Sequence, residues 1–139
     1  MKKINLDQLD LMEFTGKDDC HQHCKATFPL IGLHGSLQLA SVYFEIAPGD
    51  NLGRHTDSAE ELLVILDGEL TVSVGSESAI VKKGYVVLVP KMVPHDLLNS
   101  GGKPAKVLGV FGGANNIVAT FEKEWLPTHS RVVDTALFQ

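Results

Sequence analysis

Three side chains with metal-binding donors share one short segment. In Gly53-Arg54-His55-Thr56-Asp57-Ser58-Ala59-Glu60-Glu61, the residues His55, Asp57 and Glu61 are all odd-numbered. Side chains alternate along an extended chain, so all three point the same way. Leu63 and Ile65 continue that face. A buried Glu61 among them would be costly without a cation or hydrogen bonds to compensate it. Glu60 falls on the opposite face and is expected in solvent or in an ion pair. A second segment supplies a partner: Gly84 opens a strand, Pro90 and Pro94 stiffen the turn after it, and His95 and Asn99 follow. Pro94 fixes the backbone just before His95. A third segment, Cys20-His21-Gln22-His23-Cys24, has the thiols and imidazoles that suit zinc. On a strand, however, its cysteines share one face and its histidines the other. One tetrahedral site would need an irregular loop, and no second cysteine pair follows. A polar or intersubunit strand is the expected outcome. His34 and His129 stand alone and read as surface residues, and Trp125 reads as packing.

These side chains need a scaffold, and the chain reads as a β-rich one. Residues 35–112 hold short apolar runs, 37–46, 62–66, 69–74, 79–81, 85–89 and 106–111, each bounded by glycine, proline or another turn residue. Many short strands with frequent turns indicate a sandwich or barrel. The runs 62–66 and 85–89 are apolar on both faces. A lone antiparallel barrel leaves one face to water, so a second sheet or a partner subunit should cover them, and a homodimer is the simplest case. Before the barrel, Leu6, Leu9 and Met12 recur at helical spacing, with Asn5 and Gln8 as a capping box and Gly16 as the stop. After it, Ile117, Val118, Phe121 and Trp125 fall on one helical face between Asn116 and Pro127, which predicts a short C-terminal helix. Arg131 to Gln139 reads as extended.

Composition narrows the function classes. The 139 residues make one domain, with segment 1–34, barrel core 35–112 and tail 113–139. Hydrophobic residues at 44% and charged residues at 21% exclude wholesale disorder. A net charge of −5 without a basic cluster argues against nucleic acid and anionic membranes as partners. No apolar run reaches the roughly 20 residues that span a bilayer. The first residues lack the apolar stretch of a secretory signal. Two cysteines are too few for a disulfide scaffold and fit a reducing cytoplasm.

The two site segments resemble the paired motifs of the cupin superfamily. The first motif there is a glycine, a His-x-His pair, a glutamate four residues on and a glycine seven further. Here Glu61 and Gly68 keep those intervals after His55-x-Asp57, with Gly49 or Gly53 as the opening glycine. The second motif is matched by Gly84, Pro90, His95 and Asn99, with Met92 where glycine is usual. The short stretch between Gly68 and Gly84 is similar to that of small single-barrel members. The resemblance covers residues 35–112 and implies an antiparallel double-stranded β-helix, or jelly roll. It also implies a metal site. Carried over by position, His55, Glu61 and His95 match family ligands, while Asp57 replaces the second histidine. Asp57 then coordinates directly, binds through water, or orients a ligand histidine.

The resemblance implies one divalent transition metal per chain, and a two-His-one-carboxylate set accommodates Fe, Mn, Ni or Zn. The leading expectation is a metal-dependent enzyme of dioxygenase, isomerase or decarboxylase type acting on a small organic molecule. Glu61 or Asp57, if released from the metal, would be the general base. Tyr43, Met92 and Leu63 are candidate pocket-lining residues. A non-catalytic sensor or storage barrel and a structural assembly role are the alternatives. No nucleotide fingerprint, phosphate-cradling loop or nucleophile triad is present, and the substrate is not announced.

Overall fold

The computed structural model describes residues 1–138. Twelve strands form it: β1 (Met12–Gly16), β2 (His23–Thr27), β3 (Leu39–Ile46), β4 (His55–Asp57), β5 (Glu61–Asp67), β6 (Glu69–Val74), β7 (Glu77–Lys82), β8 (Val86–Val89), β9 (His95–Leu98), β10 (Ala105–Gly112), β11 (Val118–Leu126) and β12 (Ser130–Asp134). Helical structure among the described residues is limited to three single-turn 3-10 segments, Leu6–Gln8, Gly32–His34 and Thr135–Leu137. All paired strands are antiparallel and run in the order β7-β6-β9-β4-β11-β1-β2-β3-β10-β5-β8, with β12 beside β11. The sheet curls on itself as a jelly roll does.

Alternation explains which faces line the interior. Along β10, Ala105, Val107 and Phe111 are buried, with Gly109 between them, while the intervening residues are half-buried. Along β5, Glu61, Leu63 and Ile65 are buried and Leu62 is 41% exposed. Phe44, Ile46, Leu70, Leu97 and Phe121 complete the same core. Gly68 stands at the corner where the chain leaves β5 for β6. Its φ is +85°, and a side chain there would strike Ala105. Only glycine meets both demands cheaply.

The predicted C-terminal helix does not form: Val118 to Trp125 belongs to β11, and Ile117 lies just before it. Ile117, Ala119, Phe121 and Trp125 are buried while Val118 and Thr120 face outward. A period of two therefore replaces the helical reading of the same apolar residues. Burying isoleucine, phenylalanine and tryptophan together is worth several kcal/mol at about 1.5–3 kcal/mol per large side chain. Helix propensities differ by at most about 0.7 kcal/mol per ordinary residue, so tertiary packing wins. The N-terminal helix is likewise reduced to one turn. Asn5 does cap it, accepting from the Asp7 amide at 2.9 Å, but Met12 to Gly16 then pairs with β2 and β11. The tail is extended through β12 and then turns once at Thr135–Leu137; Gln139 lies outside the described residues.

Candidate metal centre

β4 contributes His55 and Asp57 from one face, as their parity demands, and both are about 5% exposed. β9 lies beside β4 with His95 directly opposite His55. Glu61 enters from the first position of β5. The ring centroids of His55 and His95 are 4.1 Å apart. One donor atom each from His55, Asp57 and His95 lies within 4.8 Å of the other two. Asp57 Oδ2 is 3.1 Å from His95 Nε2 and 3.7 Å from His55 Nε2, and Glu61 Oε1 is 3.6 Å from His95 Nε2. Asp57 is thus the carboxylate between both imidazoles, with Glu61 at the side nearer His95.

The backbone sets the tautomer of each histidine. His55 Nδ1 donates to the Gly53 carbonyl at 2.7 Å, and His95 Nδ1 donates to the Val93 carbonyl at 2.9 Å. A carbonyl only accepts, so each Nδ1 carries hydrogen and each Nε2 turns its remaining valence toward the centre. Asp96 braces this arrangement by accepting the Gly53 amide at 2.9 Å. Phe121 stacks on the His55 ring at 4.4 Å. Asn99 is no ligand: its amide group donates to the carbonyls of Ile46 and Lys103, locking the end of β9.

Among the described residues, two buried atoms have no hydrogen-bond partner, Asp57 Oδ2 and His95 Nε2. They face each other at 3.1 Å without hydrogen-bond alignment. An unpartnered buried carboxylate oxygen costs several kcal/mol, so a buried pair like this calls for a third party. A proton on His95 Nε2 shared with Asp57, or a divalent cation between the donors, satisfies both atoms, and the donor set present fits a cation.

Burial and mutual charge shift the ionisation of the group. Burial pushes His55 down to about 4, against the pull of Asp57. Burial also acts against charge on His95, but the Asp57 and Glu61 carboxylates outweigh it and lift this histidine to about 10. Burial raises the Glu61 carboxyl to about 7, opposed by His95.

The centre opens onto a cavity of about 610 Å³ lined by His55, Asp57, Glu61 and Leu63 among others. Tyr43 and Met92 are elsewhere. Tyr43 alternates away from Val42 and Phe44, which do line the cavity, and donates its hydroxyl to Glu45 at 2.6 Å. Met92 is 56% exposed in the turn before β9, where its φ is +63°. That value explains why glycine is the usual residue there. His21 and His23 both reach Asp50, at 3.3 and 3.1 Å, so they share a face but leave the cysteines out. Cys20 is exposed, and Cys24 is buried, with its thiol pushed up to about 12 by burial. His129 is exposed, as expected, whereas half-buried His34 lines the cavity.

The sequence reading missed Gly109. A side chain there would collide with Glu61 Oε2 and approach Val42 to 2.8 Å, so this glycine is the notch that admits the Glu61 carboxylate. A lone glycine inside the apolar run 106–111 was the available signal. Phe121 was missed because its segment reads as helix.

Comparison with known proteins agrees with this architecture. The cupin domain family matches residues 42–111, and the chain belongs to that family. No curated protein matches the sequence. Among solved structures, a polyketide cyclase from Streptomyces resistomycificus is similar, with TM-score 0.65 and 17% identity over 81% of this chain and 79% of that one. A putative sugar phosphate isomerase from Acidithiobacillus ferrooxidans has TM-score 0.66 and 15% identity, covering 96% of this chain and 90% of that one. A predicted oxalate decarboxylase from Thermotoga maritima has TM-score 0.67 and 19% identity over 80% and 98%. At these identities the likeness shows the fold, and the three differing activities leave the reaction open. Among the described residues, no helix is long and apolar enough to cross a membrane.

Proposed function

We propose that this cupin binds one divalent transition metal through His55, Asp57 and His95, with Glu61 adjoining, and acts as a metal-dependent enzyme on a small organic molecule. The observation that carries the reading is the buried, unpartnered pair Asp57 Oδ2 and His95 Nε2. Two imidazoles and one or two carboxylates suit Fe, Mn, Ni or Zn. Such a cation supplies Lewis-acid or redox chemistry at an open coordination position. The chain's own residues do the rest. His55 and His95 are held by backbone carbonyls, and Phe121 seals one side of His55 from water. Glu61 lines the cavity beside the centre, where burial raises its carboxyl, and is placed to act as the general acid or base.

The same reading extends to the whole protein. A second copy would cover the outer apolar face of β5 and β8, and the free cysteines suit the cytoplasm. Turnover is tested by incubating metal-loaded protein with small hydroxy and keto compounds, in air and without it, and reading products by mass spectrometry. A product that disappears in His95→Ala is expected. Equal binding of those compounds to metal-stripped protein, with no product, would replace catalysis by a sensor barrel.

A further inference from the structure

The cavity wall carries information about what enters it. His55, Phe121, Trp125 and Phe14 form a continuous row of rings. His55 stacks on Phe121 at 4.4 Å, Phe121 meets Trp125 edge-on at 5.3 Å, and Trp125 meets Phe14 edge-on at 6.2 Å. All four line the same cavity, whose exposed members Met12, Leu33 and Leu137 mark its open end. Its volume of about 610 Å³ lies within the roughly 300–1,000 Å³ typical of drug-sized ligands.

Charge in the wall is one-sided. Among the described residues, no lysine or arginine lines the cavity. Its charged side chains are Asp57, Glu61 and Asp134. A phosphate or dicarboxylate would shed its water there with only the centre itself to receive it, and would meet repulsion from Asp134. Asp57 and Glu61 already provide two negative charges against a divalent cation. An uncharged ligand leaves that balance intact. Flat apolar rings gain both area burial and edge or face contacts along the aromatic row.

We propose that the chamber takes an uncharged aromatic molecule of roughly two to three rings, presenting one hydroxyl or carbonyl oxygen to the centre formed by His55, Asp57 and His95. The orientation of that oxygen rests on the metal-site reading above, whereas the preference for a neutral aromatic rests on the wall alone. Trp125 lines the cavity and is the only tryptophan in the chain, so its indole N–H gives a single reporter resonance for this wall.

The test titrates wild-type protein, metal-loaded and metal-stripped, with 2-naphthol, 2-naphthyl phosphate, oxalate and glucose 6-phosphate. Calorimetry gives affinities, metal analysis gives occupancy, and the indole resonance locates the ligand. 2-Naphthol is expected to bind at least about tenfold tighter than each anion and to move the Trp125 resonance. The same preference in stripped protein, or in protein that takes up no metal, upholds the chamber even if the metal site fails. Tighter binding of oxalate or either phosphate by fully metal-loaded protein would overturn the proposal and leave the metal site standing. Absence of any Trp125 shift with 2-naphthol would overturn it as well.

Discussion

Aspartate at position 57 is shorter than the histidine usual in cupins, yet β4 places it within 3.7 Å of both imidazole Nε2 atoms. The consequence is a centre with two carboxylates and two histidines, whose protons compete with a cation. Burial lowers His55, whereas the Asp57 and Glu61 carboxylates raise His95, so a proton and a cation compete for His95 Nε2. A metal must displace the His95 proton, so affinity should rise as pH rises, by about tenfold per unit for each proton lost. Titration of metal into stripped protein between about pH 6 and pH 8 checks this; a flat profile would show that no proton is displaced. That His55, Asp57 and Glu61 face one way was legible from parity, because an extended strand has a fixed period. How near Asp57 and Glu61 each come to His95 was not, since it depends on how far β4 and β5 stand from β9.

At the scale of elements, β10 and the turn before β9 carry the positions most sensitive to change. Gly109 in β10 admits the Glu61 carboxylate, and Gly109→Ala forces that carboxylate or Val42 to move. A loss of about 1–3 kcal/mol is expected, as for other overpacked cores, measured by urea unfolding; unchanged stability would mean Glu61 does not need the notch. Met92 holds a left-handed backbone with its side chain half in solvent. Met92→Gly relieves about 1–2 kcal/mol of steric cost, offset by about 0.5–1 kcal/mol of unfolded-chain entropy. Thermal unfolding should therefore shift upward by a few degrees, and a downward shift would contradict the strain. The β-rich middle was readable because its apolar runs end at glycines and prolines. The segment 117–125 was not, because Ile117, Phe121 and Trp125 satisfy periods of four and of two alike. Only pairing with β1, β4 and β12 decides for the strand.

On the scale of the whole molecule, apolar surface remains on the outside of the barrel. Leu62 and Leu88 are neighbours across β5 and β8 and are 41% and 57% exposed, with Val86 at 56% beside them. β8 is also an edge strand, with no neighbour on its far side among the described residues. Edge strands and apolar patches of this kind are commonly covered by a partner. Light scattering should give about twice the 15.1 kDa chain mass, and Leu88→Lys should return the single-chain mass without unfolding. A monomeric wild-type protein would leave the apolar face without an occupant. The centre and its chamber remain the core of the account, and metal analysis after reloading and dialysis tests it most directly. Wild-type protein and His129→Ala should each retain about one equivalent of divalent metal per chain, and His95→Ala should retain almost none. Less than about a tenth of an equivalent in wild-type, or equal loss in both variants, would contradict a metal centre at His55, Asp57 and His95.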